Sequence, residues 1–224
     1  MNHPVRVLIH GASGRMGQAL LRLSADNPLL NVVASTGRND LADLQSVPEF
    51  DVAIDFSSPE GFDAVLALCL ARKTPLVSGT TGLSAEQFEA LKTAGQSIAV
   101  MWASNFSLGV AVLNDLVQRT AQTLQGWGVE ITETHHVHKL DSPSGTALSL
   151  GQSVANVAGQ IPTYISHRQG EVIGDHTVKF STQGEFIELR HNALNRDIFA
   201  LGALFVAGKL VGKVSGVYKF GDLL

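Results

Sequence analysis

Between Glu133 and Leu148 the chain reads Glu-Thr-His-His-Val-His-Lys-Leu-Asp-Ser-Pro-Ser-Gly-Thr-Ala-Leu, so His135, His136, His138 and Lys139 fall within five residues. A packed core has no use for that density of titratable groups. Histidine titrates near neutrality and can supply or take a proton. A lysine beside it can neutralise an anionic substrate or act as a second acid. Next, Ser142-Pro143-Ser144-Gly145-Thr146 reads as a turn feeding a helix. Ser142 or Ser144 is the cap, with Pro143 in the first turn if it is Ser142. Backbone N–H groups at such a helix start suit a carboxylate. The stretch therefore offers His135 or Lys139 as proton donor, His136 as a substrate ligand, and Gly145 with Thr146 as a carboxylate cradle. The competing reading is a three-histidine metal site completed by His176. Lys139 would repel the cation there, and no metal is expected.

A proton donor needs a reaction to serve, and the start of the chain suggests one. The apolar run Val5–His10 leads into Gly11-Ala12-Ser13-Gly14-Arg15-Met16-Gly17 and then a helical pattern with Met16, Leu20, Leu21 and Leu23 on its apolar side. Gly11 permits a tight turn, Gly14 lets backbone approach a pyrophosphate, and Gly17 lets helix pack on strand. Gly11, Ala12, Ser13, Gly14, Arg15 and Met16 are thus candidate dinucleotide contacts. A second strand, Asn31–Ser35, runs into Thr36-Gly37-Arg38-Asn39. No carboxylate stands at the strand end, where an NAD-selective site usually has one, and the Arg38 fork can pair with a 2′-phosphate. NADPH is therefore favoured, with NADH possible if Asp40 folds back. A nicotinamide hydride plus a histidine or lysine proton makes a reduction.

The elements that must position these residues alternate. Strand patterns at 51–56, 74–78 and 97–102 are separated by a helix from Pro59 to Arg72 and another capped by Ser84. Such alternation implies a doubly wound parallel sheet, with ligands beyond the carboxyl ends of its strands. Gly79-Thr80-Thr81-Gly82 and Ala103-Ser104-Asn105-Phe106 end strands in this way. After an amphipathic helix at 108–124 the style changes to α+β. Val129–His135 alternates with period two, which puts His135 with Val129, Ile131 and Glu133, and His136 and His138 on the opposite face. A hairpin through Gln183-Gly184 and a helix from Arg196 to Val206 follow. This second domain is small, and its sheet has little helical cover; an oligomer would bury the open face.

The totals exclude other classes. The chain has 224 residues, 45% hydrophobic and 16% charged, with a formal net charge of −4, so it has no basic footprint for nucleic acid. No apolar run approaches the ~20 residues of a membrane span, and no charged-then-apolar leader precedes the first strand. A cytoplasmic chain with no membrane partner is expected. The single cysteine, Cys69, lies in an apolar run and reads as a core residue in a reducing compartment.

The run from Glu133 to Ala147 resembles the signature of the 4-hydroxy-tetrahydrodipicolinate reductase (dihydrodipicolinate reductase) family. Gly11–Gly17, Asp55-Phe56, Gly79–Gly82, Asn105–Val110, Gly174-Asp175-His176-Thr177 and Phe199–Ala203 match as well. The resemblance implies a Rossmann-like dinucleotide-binding domain, residues 1–106 with 195–224, and a substrate-binding domain, 107–194, whose sheet builds a homotetramer. It implies hydride transfer from NADPH or NADH to a cyclic imine dicarboxylate with loss of water, on the diaminopimelate route to lysine. His135 would be the general acid/base, Lys139 a proton donor, and His136, Gly145 and Thr146 substrate ligands. Gly11–Met16, Gly79, Thr80, Thr81, Ala103, Ser104, Asn105 and Phe106 would hold cofactor. The chain departs from the family pattern in abbreviated segments at 41–50 and 159–171, in Ser142 where alanine is usual, and in lacking the acid after the second strand. A related two-domain dehydrogenase of another small acid would leave the set His135, His136, Lys139, Gly145 and Thr146 unexplained. A nucleotide-sensing module that turns nothing over would not need the proton-transfer pair.

Overall fold

The computed structural model describes residues 3–37 and 43–224. Its elements begin β1 (Val5–His10), α1 (Arg15–Ser24), β2 (Leu30–Thr36), β3 (Val52–Asp55), α2 (Pro59–Arg72), β4 (Leu76–Ser78), α3 (Ala85–Ala94) and β5 (Ala99–Trp102). They continue α4 (Leu108–Thr123), β6 (Gly128–His135), α5 (Gly145–Ala158), β7 (Thr163–Arg168), β8 (Gly174–Ser181), β9 (Phe186–Ala193), α6 (Asp197–Leu210) and β10 (Gly216–Tyr218). Two compact units result. One takes the described residues of Met1–Phe106 and Phe199–Leu224, the other Ser107–Ile198. The second crossing thus falls in the first turn of α6 rather than at 194–195. No helix among the described residues is long and apolar enough to cross a membrane.

The first unit holds a six-stranded sheet in the order β10-β5-β4-β3-β1-β2, with every pair parallel. Successive strand residues face different cores. Val7, Ile9, Val52, Ile54, Val77 and Met101 pack with Leu20 of α1 and Ala203, Leu204 and Ala207 of α6. Leu8, Ala53, Leu76 and Val100 pack with Phe62, Val65 and Cys69 of α2 and Leu91 of α3. Burial on both sides is why these strands read as unbroken apolar runs, and helices on both faces make the sheet doubly wound, as the alternation implies. Cys69 is a core residue, its thiol pushed up to about 12 by burial. The sheet is completed by β10, which sequence reasoning did not anticipate; three residues are too few to show a period.

In the second unit the sheet order is β7-β6-β8-β9. β6 and β7 run parallel, linked through α5, while β6–β8 and β8–β9 are antiparallel. Val129, Ile131, Val178 and Phe180 meet Leu113 and Val117 of α4 and Ala147, Leu150 and Val154 of α5. That covers one face. The other presents Glu130, Thr132, Thr134, Thr177 and Lys179 with Phe186, all at least partly exposed. β7 is a further addition to the sequence reading, inside a segment taken as an abbreviated loop.

Gly11 and Gly17 allow close approach around the first turn. Gly11 has φ +83°, a region few other residues enter. A Cβ on Gly17 would lie 2.3 Å from Gly11 O and 2.4 Å from Ala12 Cα, against backbone that cannot swing aside. Gly14, the residue preceding α1, would meet only Gly11 O, at an ordinary 3.4 Å. Gly17→Ala should therefore cost about 3 kcal/mol or more, and Gly14→Ala under about 1 kcal/mol. Urea unfolding of the two variants checks this; equal costs would refute the packing account.

Candidate active site

Two sets of residues matter, one in each unit. In the first, Gly14 is the N-cap of α1 and offers no capping side chain. The first-turn N–H groups of α1 lack intrahelical partners by construction, which suits an anion, and Gly14 adds no side chain there. Gly11 and Ala12 donate their N–H groups to Thr36 O at 3.0 and 2.9 Å, which seats the loop on the end of β2. Ser13 and Arg15 are exposed, while Met16 is half-buried. Arg38 lies outside the described residues, as does Asp40.

The loop after β4 rests on a buried carboxylate. Asp55, with no exposed surface, accepts from Ser57 Oγ at 2.5 Å, Ser78 Oγ at 2.8 Å, Thr80 Oγ1 at 2.8 Å and Ser57 N at 3.1 Å. Thr80 O in turn accepts from Trp102 Nε1 at 2.8 Å. Gly79 lies against the Phe56 ring, where a Cβ would come within 2.1 Å. Thr81 is exposed. Beyond β5, Ala103 N donates to Ser78 O, Ser104 is exposed and Asn105 half-buried. Phe106 is 2% exposed and its ring packs edge-on against Phe56, so it belongs to the core. The structure thus collects the loops after β1, β4 and β5 at strand carboxyl ends, and this set fits a dinucleotide.

In the second unit, β6 buries alternate residues. Val129, Ile131, Glu133 and His135 point into the core side, as the period predicts. Glu133 is 1% exposed. Its carboxylate accepts from His135 Nδ1 at 2.5 Å, from Arg168 Nη1 and Nη2 at 3.0 Å each, and from Ser144 N at 3.3 Å. Arg168 also donates to Lys139 O at 3.3 Å and Asp141 O at 2.6 Å. Ser144 is the cap of α5, its hydroxyl accepting from Ala147 N. The alternative with Ser142 as cap is therefore corrected: Pro143 precedes the cap and is not in the first turn. Gly145 and Thr146 open the helix. Lys139 Nζ pairs with Asp141 Oδ1 at 2.7 Å. Because β6 ends at His135, alternation does not govern His136. It lies in the following loop with Nδ1 buried and, among the described residues, without a hydrogen-bond partner, its ring centroid 6.2 Å from that of exposed His138.

Cross-strand register explains two more histidines. Glu133 stands opposite His176 on β8, and His176 opposite His191 on β9. His176 Nε2 meets the Ser144 hydroxyl at 3.3 Å, and its ring meets that of His135 edge-on at 5.1 Å. A Cβ on Gly174 would sit 3.0 Å from His135 Nε2, so glycine there keeps that nitrogen clear. Sequence reasoning gave Glu133, Arg168 and Gly174 no role, and His176 only a metal role. Glu133 did carry a signal, since an acid on a core-facing row must be paired. Among the described residues, no group of three or more His, Cys, Asp or Glu side chains is arranged to hold a metal ion.

The charges follow from this geometry. Burial pushes the Glu133 carboxyl up, but Arg168, His135 and Ser166 together outweigh it and hold the group at about 2. Burial lowers His135, and Lys139 and Arg168 add to that, against the opposing pull of Glu133. Burial, then repulsion from His135, holds His176 down at about 4. An unfolded chain takes a proton at His176 below its ordinary 6.5, which the folded chain refuses until about 4. Glu133 stays charged in the fold from 4.5 down to about 2. Both groups stabilise the fold at neutral pH and lose that contribution on acidification, His176 between 6.5 and 4 and Glu133 below 4.5. The urea midpoint should fall steadily from pH 7 to 4, and His176→Gln should flatten the decline by on the order of 3 kcal/mol. An unchanged slope in the variant would contradict this.

The comparisons agree with the geometry. Residues 5–106 match the family described as dihydrodipicolinate reductase, N-terminus, and residues 109–224 its C-terminus. A 4-hydroxy-tetrahydrodipicolinate reductase of Xylella fastidiosa (strain 9a5c) is 53% identical over 237 aligned residues, covering 100% of each chain. That of Xanthomonas axonopodis pv. citri (strain 306) is 55% identical, covering 98% of each. The dipicolinate-bound dihydrodipicolinate reductase of Paenisporosarcina sp. TG-14 superposes with a TM-score of 0.83 at 25% identity, covering 99% of this chain and 100% of that one. The C. glutamicum DAP dehydrogenase shares the fold, with a TM-score of 0.63 at 12% identity. With both of its domain families matched and relatives above half identity along its whole length, the chain belongs to the dihydrodipicolinate reductase family.

Proposed function

We propose that the chain reduces 4-hydroxy-tetrahydrodipicolinate, a cyclic imine dicarboxylate precursor, to tetrahydrodipicolinate, as an NAD(P)H-dependent oxidoreductase of the diaminopimelate route to lysine. The observation that carries this is the sharing of one carboxylate: Glu133 ties the proton-handling His135 to Ser144 at the start of α5. A group that moves protons and a helix start that suits a carboxylate are thereby fixed together in one unit.

The roles follow. Gly145 and Thr146 offer first-turn N–H groups to one substrate carboxylate, and His136, whose buried Nδ1 has no hydrogen-bond partner among the described residues, is a further ligand. With its pKa lowered, His135 is neutral at pH 7. Its Nδ1–H goes to Glu133, so Nε2 carries the lone pair and acts as the general acid/base. Lys139 is the proton donor, its ammonium poised by Asp141. Bound NAD(P)H supplies the hydride. Gly11–Met16 would receive the pyrophosphate, and Gly79–Thr81 with Ala103–Phe106 would complete the cofactor site. The Asp55 network holds the loop at 79–81 in place.

Two finer readings go with this. NADPH is the preferred donor, on the strength of the fork at Arg38 and the absence of an acid at the end of β2. Four chains assemble through the second unit's open sheet face, where Phe186 is 59% exposed; sedimentation at assay concentration should give a tetramer, and a monomer would reject that arrangement.

A coupled assay that generates the unstable substrate in place and follows nucleotide absorbance tests the activity. His135→Gln and Lys139→Ala should each lower kcat by about 10²–10⁴-fold, and wild-type turnover in both would remove the role assignment. Arg38→Ala should raise the KM for NADPH about tenfold and leave that for NADH unchanged. A wild-type preference for NADH would overturn the cofactor reading.

A further inference from the structure

Glu133 does more than fill a core position. Its two oxygens receive the His135 ring, both arms of the Arg168 fork and the Ser144 amide, and the one facing His135 is also gripped by Arg168 Nη1. Arg168 approaches as a planar fork with both contacts at 3.0 Å. Such a fork fixes a carboxylate in position and plane. The carboxylate can then accept only the Nδ1–H tautomer of His135, because an unprotonated Nδ1 would leave two lone pairs face to face. The result is an imidazole with Nε2 directed away from Glu133, toward the space that Gly174 keeps clear.

We infer that Glu133, clamped by Arg168, is the positioning residue that sets the His135 tautomer and stabilises its protonated form during reduction. The inference rests on His135 being the general acid/base. The charged and titratable groups around the ring are Glu133 on β6, Arg168 on β7, His176 on β8, and Lys139 with its partner Asp141 on the loop after β6. Lys139 and Arg168 oppose a proton on His135, His176 is itself held neutral, and Glu133 is the anion hydrogen-bonded to the ring. Arg168 has a second function. Through Lys139 O and Asp141 O it holds the backbone that carries the proton donor. Arginine is needed because a lysine at 168 could not reach four acceptors in fixed directions.

Long-range ¹⁵N–¹H spectra of histidine-labelled wild-type enzyme, with His135 assigned from its loss in His135→Gln, read the tautomer directly. A protonated Nδ1 is expected; a protonated Nε2 overturns the clamp, and this readout needs neither activity nor a Glu133 variant. For the kinetic role, Glu133→Gln should lower kcat by about 10- to 100-fold, with less change in the substrate KM, and shift the His135 limb of the pH profile to lower pH. In a His135→Gln background the same change should cost less than about 3-fold, since Glu133 acts through His135. An equal cost in both backgrounds, or loss of activity with an unmoved pH limb, would reduce Glu133 to a structural part and overturn the inference. Should His135→Gln alone keep wild-type turnover, the general acid/base assignment falls, while the tautomer measurement still decides the clamp.

Discussion

A carboxylate buried to 1% exposure needs donors on every side, and the second unit is built around meeting that need at Glu133. Each donor comes from a different piece of chain: His135 from the end of β6, Arg168 from the end of β7, and the Ser144 amide from the start of α5. Satisfying the charge therefore fixes the relative positions of all three. Arg168 carries the constraint on to the backbone at Lys139 and Asp141. Breaking one contact would strand a charge inside the fold, which costs far more than the contact returns on its own. The site is held by this mutual dependence and not by apolar packing alone.

The first unit applies the same device with neutral donors. Asp55 sits at the carboxyl end of β3 and gathers hydroxyls from Ser57, Ser78 and Thr80. These lie at the carboxyl ends of two adjacent inner strands of a parallel sheet, so one buried carboxylate sets the turns that follow both. Gly11, Gly17 and Gly79 provide what side chains cannot, room for backbone to meet backbone or ring. Precision in one unit comes from a charge network with a cationic fork, and in the other from hydroxyls and missing Cβ atoms. The difference suits the proposed roles, since a pyrophosphate would need backbone N–H groups while a proton relay would need an aligned imidazole.

Local pattern made much of this legible. Period-two alternation placed His135 beside Glu133, and the glycine spacing placed the first turn, because both depend on neighbours within a few residues. The Arg168 fork was not legible, since it lies 35 residues from its partner on a strand whose six residues are only partly buried and show little contrast. β10 was hidden for a similar reason: its pairing with β5 is decided by a sheet edge, not by its own period. The cap assignment stayed open because Ser142 and Ser144 are equally good caps in isolation; Ser144 takes the role where its amide also reaches Glu133. His136 escaped the alternation rule because the strand stops one residue before it.

The cost of this arrangement bears on what the unit is for. Replacing a buried ion network by well-packed apolar side chains is often neutral or stabilising by roughly 1–4 kcal/mol, so stability does not call for Glu133, Arg168, His135 and His176 together. A module that only sensed nucleotide could fill these positions with Val or Leu and fold as well. The histidines held neutral near a cationic fork also make the fold more sensitive to acid. A device that gives up stability in order to align one imidazole and keep its Nε2 clear has its justification in proton transfer. The energetics of these four side chains favour a catalyst over a sensor independently of any similarity to known reductases.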